Sequence, residues 1–74
     1  MRIAVVKAAH DDEAGVWFVE HSDVEGLRVE GETFETFCCN VASAVADLLE
    51  EENSGEEIAI EIIAHASLRA RVAA

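Results

Sequence analysis

The chain has no proline, no tyrosine and only two cysteines among its 74 residues. The cysteines, Cys38 and Cys39, are adjacent in a helical pattern, where neighbouring side chains point in different directions, so a disulfide between them would be strained. No Cys-x-x-Cys pair or Cys/His cluster offers zinc a set of ligands. A disulfide framework and a structural zinc site therefore have poor support as sources of stability. Free cysteines without an export signal predict a cytoplasmic location.

Long hydrophobic runs are also missing. The apolar start, residues 1–9, is too short to span a membrane and is followed at once by Asp11, Asp12 and Glu13. We therefore expect no membrane association. The length predicts one domain over residues 1–74, which would bury only roughly 60% of the surface of the unfolded chain. Oligomerisation is the expected supplement to so small a core.

Basic residues are scarce, with five Lys and Arg against 16 Asp and Glu. All the acids lie between Asp11 and Glu61, and Arg28 is the only base in that stretch, which carries a formal charge of −15 from 16 acids and one base. Such a surface repels phosphate backbones and argues against direct nucleic-acid binding. It suits a basic protein partner, or it serves only solubility or a saline cytoplasm.

Apolar patterning predicts an α+β fold in the order β-β-β-α-β. Strands are predicted over residues 2–9, 16–20, 27–30 and 57–65, with Gly31 breaking the third strand. Thr33 is the predicted N-cap of one helix that runs to a polar end and stops at Ser54-Gly55. Its apolar stripe has intervals of one, three and four residues: Phe34, Phe37, Cys38, Val41, Val45, Leu48 and Leu49. We expect a small antiparallel-rich sheet with this helix packed on one face.

Residue types used in catalysis are present but not in catalytic patterns. Most acids fall in turns or on the polar side of the helix, and Cys38 lies on the apolar stripe, where cysteine is an inert filler. The glycines are isolated and form no phosphate cradle. We predict no enzyme and no cofactor or metal. The alternative from another class is a small-molecule or metal sensor that uses the uncovered sheet face with His10, His21 and His65.

One aromatic residue is expected on the sheet face that the helix leaves uncovered. Trp17 and Phe18 are adjacent on a predicted strand, so they point to opposite faces and only one lies under the helix. The other faces solvent, the C-terminal tail or a second subunit, and is a candidate interface anchor. The first strand adds either Ala4 and Val6 or Ile3 and Val5 to the same face.

Three segments in this order, residues 14–19 (AGVWFV), 23–27 (DVEGL) and 30–35 (EGETFE), resemble the HicB family of antitoxins. The likeness is closest to short relatives that consist of the N-terminal domain alone. It implies a partial ribonuclease-H-like fold without catalytic acids, dimers or higher oligomers, and binding to a small basic HicA-type toxin that cleaves RNA. The family's turn proline is absent, since Glu25 stands before Gly26. Too few residues follow the last predicted strand for a separate DNA-binding domain, so we expect no operator binding.

The leading hypothesis is a non-enzymatic, antitoxin-like module that oligomerises and presents acids to a small basic partner. The candidate partner-binding residues are Trp17, Glu20, Asp23 and Glu25. The motif positions expected to be structural are Gly15, Gly26, Leu27, Gly31 and Thr33. The alternatives are a stand-alone oligomeric domain without a toxin and the sensor described above.

Overall fold

The computed structural model describes residues 2–53 and 55–73, so the helix stop predicted at Ser54 lies partly outside the described residues. The predicted order β-β-β-α-β is confirmed, with one additional helical turn. The elements are β1 Arg2–Asp11, β2 Val16–Ser22, β3 Glu30–Gly31, α1 Phe34–Leu48, α2 Glu50–Asn53 and β4 Ile58–His65.

The four strands form one mixed sheet in the order β3-β2-β1-β4. β1 is antiparallel to β2 and parallel to β4, and β2 is antiparallel to β3. The β1–β2 pairing is irregular, because Lys7 pairs with His21 whereas Ala8 pairs with Val19. Glu20 is thus an extra residue in β2, as in a β-bulge, which bends the strand and changes the direction of nearby side chains.

The core lies between α1 and one face of the sheet. Ala4, Val6 and Ala8 of β1 are fully buried beneath Phe37 and Val41 of the helix. The sequence left open whether Ala4 and Val6 or Ile3 and Val5 lie under the helix. The structure places Ala4 and Val6 there. Burial of each large apolar side chain stabilises the fold by about 1.5–3 kcal/mol.

The predicted N-cap of α1 is confirmed. Thr33 has extended backbone angles, φ −115° and ψ 157°, and its hydroxyl accepts a hydrogen bond from the backbone N–H of Thr36 at 3.0 Å. The helix ends at Leu48, and Leu49 donates its backbone N–H to the carbonyl of Val45 at 3.0 Å. Leu49 is buried whereas Leu48 is exposed, so the apolar stripe continues through the cap residue.

The predicted third strand was wrong in position. Residues 27–29 belong to no strand, and Gly31, expected to break the strand, pairs with Trp17 inside it. The reason is the preceding turn, in which Leu27 donates its backbone N–H to the carbonyl of Val24 at 3.3 Å. That turn buries both Val24 and Leu27 in the core, so the chain reaches the edge of β2 only at Glu30.

Residues 66–73, here called the C-terminal arm, contain no helix or strand and are exposed throughout. The molecule measures 58 Å along its longest axis but only 22 and 18 Å across. A strand of the length of β1 spans about 33 Å. The arm therefore projects beyond the sheet, in line with β4.

Candidate functional site

The sheet face opposite α1, here called the open face, carries large apolar side chains that nothing in the described part of the chain covers. Alternation along β1 places Ile3, Val5 and Lys7 on this face, since Ala4, Val6 and Ala8 lie under the helix. The parallel pairing of Lys7 with Ile63 adds β4 to it. Ile3 is 55% exposed and Ile63 is 53% exposed. Exposed apolar side chains that cluster on one face indicate a surface for association.

A hollow of about 280 Å³ lies on the open face. It is lined by Val5, Lys7, His21, Asp23 and Ile63. Aliphatic side chains thus meet a cation, an imidazole and a carboxylate in one shallow depression. This combination suits a protein side chain better than a deeply enclosed small molecule.

The three histidines do not meet at one point, since His10 and His65 line one hollow with Asp12, whereas His21 lines the hollow on the open face. His10 contacts Asp12, with Nδ1 and Oδ1 2.7 Å apart, and its ring packs edge-on against Trp17. The Nε2 atom of His65 lies 3.5 Å from a carboxylate oxygen of Glu20. Over residues 2–53 and 55–73, no three His, Cys, Asp or Glu side chains group closely enough to hold a metal ion. The geometry gives the sensor alternative no ligand set in this part of the chain.

The three candidate acids near the second turn, Glu20, Asp23 and Glu25, are all exposed, but Asp23 also takes part in the fold. Glu20 lies on β2 beside His65, and Glu25 precedes the turn glycine. The carboxylate of Asp23 accepts the backbone N–H of Val5 at 3.1 Å, and the Asp23 N–H donates to the Val5 carbonyl at 3.2 Å. Asp23 therefore fastens the end of β2 to β1.

The candidate Trp17 lies on the helix side of the sheet and not on the open face. Its ring packs edge-on against Phe34 at the start of α1, with ring centroids 5.1 Å apart. Phe18, which pairs with Ala9 on the opposite side, is the aromatic residue of the open face. Phe18 is therefore the aromatic residue that the helix leaves uncovered, because the β1–β2 register directs Trp17 toward the helix. A role of Trp17 in partner binding stays a prediction.

The tail does not cover the open aromatic residue either. Leu68 is 93% exposed and Val72 is 88% exposed, so neither side chain is covered by the described sheet. The first residues of the arm, 66–68, only line an open hollow beside His10 and Trp17. Phe18 therefore faces either solvent or a second subunit.

The positions expected to be structural occupy turns, the core and a close contact. Gly15 and Gly26 have positive φ, at 70° and 83°, as tight turns require. Leu27 is buried in the core, and Thr33 caps α1. Gly31 is buried where β3 meets the first turn of the helix.

The two cysteines have different environments. Cys38 is half-buried against the core and Cys39 is exposed. Burial raises the pKa of the Cys38 thiol, and the negative charge of Cys39 raises it further. A raised pKa lowers the thiolate fraction at neutral pH, the opposite of what a cysteine nucleophile needs.

Ile3, Ile63, Lys7 and His65 complete the open face. Lys7 and Ile63 were not singled out from the sequence, whereas Ile3 and His65 were named there only within alternatives. The sequence indicates these positions only in part. Apolar residues recur at every second position in β4, but β1 is apolar on both faces near its start. Which residues share the open face depends on the parallel register of β1 and β4, and a single sequence does not specify that register.

One of the comparisons with known proteins shows a family. Residues 3–74 match the family described as a domain of unknown function, DUF1902. The chain belongs to the DUF1902 family. It is also similar to the crystal structure of a hypothetical protein, TTHA1013, from the extremely thermophilic bacterium Thermus thermophilus, at 37% identity and a TM-score of 0.73. This similarity covers 92% of the present chain and 99% of the thermophile chain. No curated protein matches.

One further finding bears on this DUF1902 protein. Within the described ranges, no helix is both long enough and apolar enough to cross a membrane.

Proposed function

We propose that this DUF1902 protein is a cytoplasmic, non-enzymatic module related to HicB antitoxins. In this proposal it oligomerises and neutralises a small basic partner, an RNA-cleaving toxin of the HicA type. The order of the three segments AGVWFV, DVEGL and EGETFE supports the relationship. The β-β-β-α-β order is the one that the resemblance implies.

The observation that carries the proposal is the open face, an uncovered apolar surface on a strongly acidic chain. Ile3 and Ile63 are more than half exposed, while the formal net charge is −11. Apolar side chains contribute affinity when a partner covers them, and the acidic field attracts and orients a basic protein. The same field repels RNA. In this proposal the acidic protein binds the basic surface on which the toxin holds RNA phosphates, and it thereby blocks the toxin.

Glu20 and Glu25 are the acids that best fit contact with a basic partner. Both are exposed, and neither side chain is committed to a hydrogen bond with the backbone in the contacts that the structure gives. Asp23 lies between them but uses its carboxylate on Val5. We therefore assign partner contact to Glu20 and Glu25, and assign to Asp23 the task of holding the segment that carries them.

Co-purification tests the proposal. The full tagged chain, expressed in its native host and isolated at low salt, is expected to bring down a small basic protein that is released as salt is raised. The RNase activity of that partner is then measured with and without the chain, and inhibition is expected. Recovery of the chain alone, as a stable oligomer, would favour the stand-alone domain instead.

A matched pair of variants locates the contact. Glu20→Gln with Glu25→Gln removes two charges at the second turn, and Glu50→Gln with Glu51→Gln removes two at the far end of the helix. We expect only the first pair to weaken capture of the basic protein. Equal weakening by both pairs would show that net charge alone drives binding.

A further inference from the structure

β4 is an edge strand with a free outer side. In the described part of the sheet it pairs with β1 only, so the backbone groups on its other side have no strand partner. Its inward side chains Ile58, Ile60 and Ile62 are only half-buried, although they pack against the core. Long apolar edge strands of this kind are ready templates for pairing with another strand.

A groove follows the beginning of this edge. It has a volume of about 450 Å³ and lies between the second half of α1 and the start of β4. Its apolar lining includes Ala42, Ala46, Leu49, Ile58 and Ile60. A large apolar side chain from a strand added beside β4 would enter this groove.

The C-terminal arm has the pattern of a strand without a partner. Ala66, Leu68, Ala70 and Val72 alternate with Ser67, Arg69 and Arg71, which is typical of a half-buried strand. Alternation continues from β4, so Leu68 and Val72 fall on the side of Ile58 and Ile60. Yet Leu68 and Val72 are the most exposed large apolar residues that the structure describes.

The arm is also the basic segment of an acidic chain. Arg69 and Arg71 are two of the five Lys and Arg residues. The start of β4 is acidic, with Glu56 and Glu57 before it and Glu61 within it. The two ends of this continuous stretch therefore carry opposite charge, which favours antiparallel pairing of two copies.

The arm cannot easily return to its own β4. Residues 66–73 contain no Gly, Pro, Asn or Asp, and Ser67 is their only residue of a type that favours tight turns. β4 and the arm together would span about 53 Å in extended form, close to the 58 Å length of the molecule. The arm thus runs straight on, away from the edge and the groove of its own chain.

We propose that β4 and the beginning of the C-terminal arm, residues 66–68, pair antiparallel with the same segment of a second copy of this chain, along the outer edge of β4. Side chains directly opposite in such a pair lie on the same face, so odd-numbered residues meet odd-numbered ones. The register that matches the charges places Ile63 opposite Ile63 of the second copy. Glu61 then lies opposite His65, Glu57 opposite Arg69, and Ile58 opposite Leu68. The two sheets become one continuous sheet, and each Leu68 enters the groove beside the other copy's Ile58.

This inference deepens the oligomerisation that the proposed function includes, and it does not require the basic partner. Sedimentation velocity of the full chain over a concentration series measures the dimer directly. We expect a dimer that Leu68→Asp dissociates, while the far-ultraviolet circular dichroism stays unchanged because Leu68 is exposed in the single chain. A chain that is monomeric at all concentrations, or a dimer indifferent to Leu68→Asp, would overturn the inference.

A charge exchange tests the register. Arg69→Glu places like charges opposite each other at two symmetric positions and should weaken the dimer by about tenfold. Adding Glu57→Arg should restore it to within about threefold of the original affinity. Arg28→Glu, the same charge change outside the arm and β4, is the control and should leave the dimer unaltered. Failure of the double variant to recover would refute the register.

The two proposals fail separately. Capture of a basic protein by a chain that is always monomeric would support the proposed basic partner and overturn the proposed dimer through β4 and the arm. If the arm variants dissociate a dimer but no basic protein is captured, the proposed dimer is supported. The same result would count against the antitoxin-like function.

Discussion

A β-carbon on Gly31 would lie 2.6 Å from the backbone nitrogen of Phe37 and 2.8 Å from its Cα. This contact joins β3 to the first turn of α1, and Phe37 is the largest fully buried side chain. The neighbour is backbone, so it cannot move aside as a flexible side chain would. Glycine is thus required at position 31 because a side chain has no room there. Its backbone angle is not the reason, since the φ of Gly31 does not lie in the left-handed region.

Gly31→Ala should therefore destabilise the protein by about 1–3 kcal/mol, the usual cost of forcing extra volume into a packed site. Urea unfolding followed by circular dichroism measures the change. Gly15→Ala is the comparison, because its β-carbon would meet nothing within 4 Å and only the φ of 70° opposes it. Its cost should be about 1 kcal/mol. A Gly31→Ala variant as stable as the parent would disprove the tight contact.

The cap of α1 gives a second prediction. Thr33 accepts the N–H of Thr36 and also donates its hydroxyl to the Thr36 hydroxyl at 3.0 Å. Thr33→Ala removes both interactions and should lower the free energy of unfolding by about 1 kcal/mol. Thr33→Ser keeps an oxygen at the cap and should recover most of the loss. If Ser and Ala variants unfold at the same urea concentration, the side-chain cap is not what stabilises this helix end.

The elements that sequence patterning identified are those with one clear period. Apolar residues recur every three or four positions in α1 and every second position in β4. Thr33 caps a helix whose first turn carries Glu35. β3 was misplaced because Leu27 and Val29 alternate with charged residues like a strand. The structure instead uses Leu27 to close a turn over the core.

The open face was predicted to exist but its residues were only partly identified. Near its start β1 is apolar at consecutive positions, so its composition is equally compatible with either face toward the helix. Trp17 and Phe18 pose the same problem, and the pairing of Ala9 with Phe18 decides it. The parallel neighbour of β1 is far away in sequence, so local periodicity contains no information on that register.

The role of Asp23 gives a prediction that separates stability from partner binding. Asp23→Ala leaves the N–H of Val5 without its acceptor and should destabilise the protein by about 0.5–1.5 kcal/mol. Asp23→Asn retains a carbonyl oxygen and should cost less. Chemical denaturation of both variants, with Glu25→Gln as the neutral surface control, measures the difference. An Asp23→Ala variant as stable as Glu25→Gln would return Asp23 to the set of partner-binding acids.

The adjacent cysteines should differ in reactivity toward a thiol-specific maleimide. Cys39 is exposed, whereas burial, and secondarily the charge of Cys39, raises the pKa of the Cys38 thiol. Because the thiolate is the reacting form, Cys38 should react more slowly at neutral pH and gain rate at a higher pH than an ordinary cysteine. The measurement uses Cys38→Ser and Cys39→Ser, each with one thiol, followed by mass spectrometry over a pH series. Cys39→Ser also removes the neighbouring charge, so any slow reaction that persists in it reports burial alone. Equal rates for the two variants, in the folded protein and at every pH, would show that Cys38 is not sheltered by the helix–sheet packing.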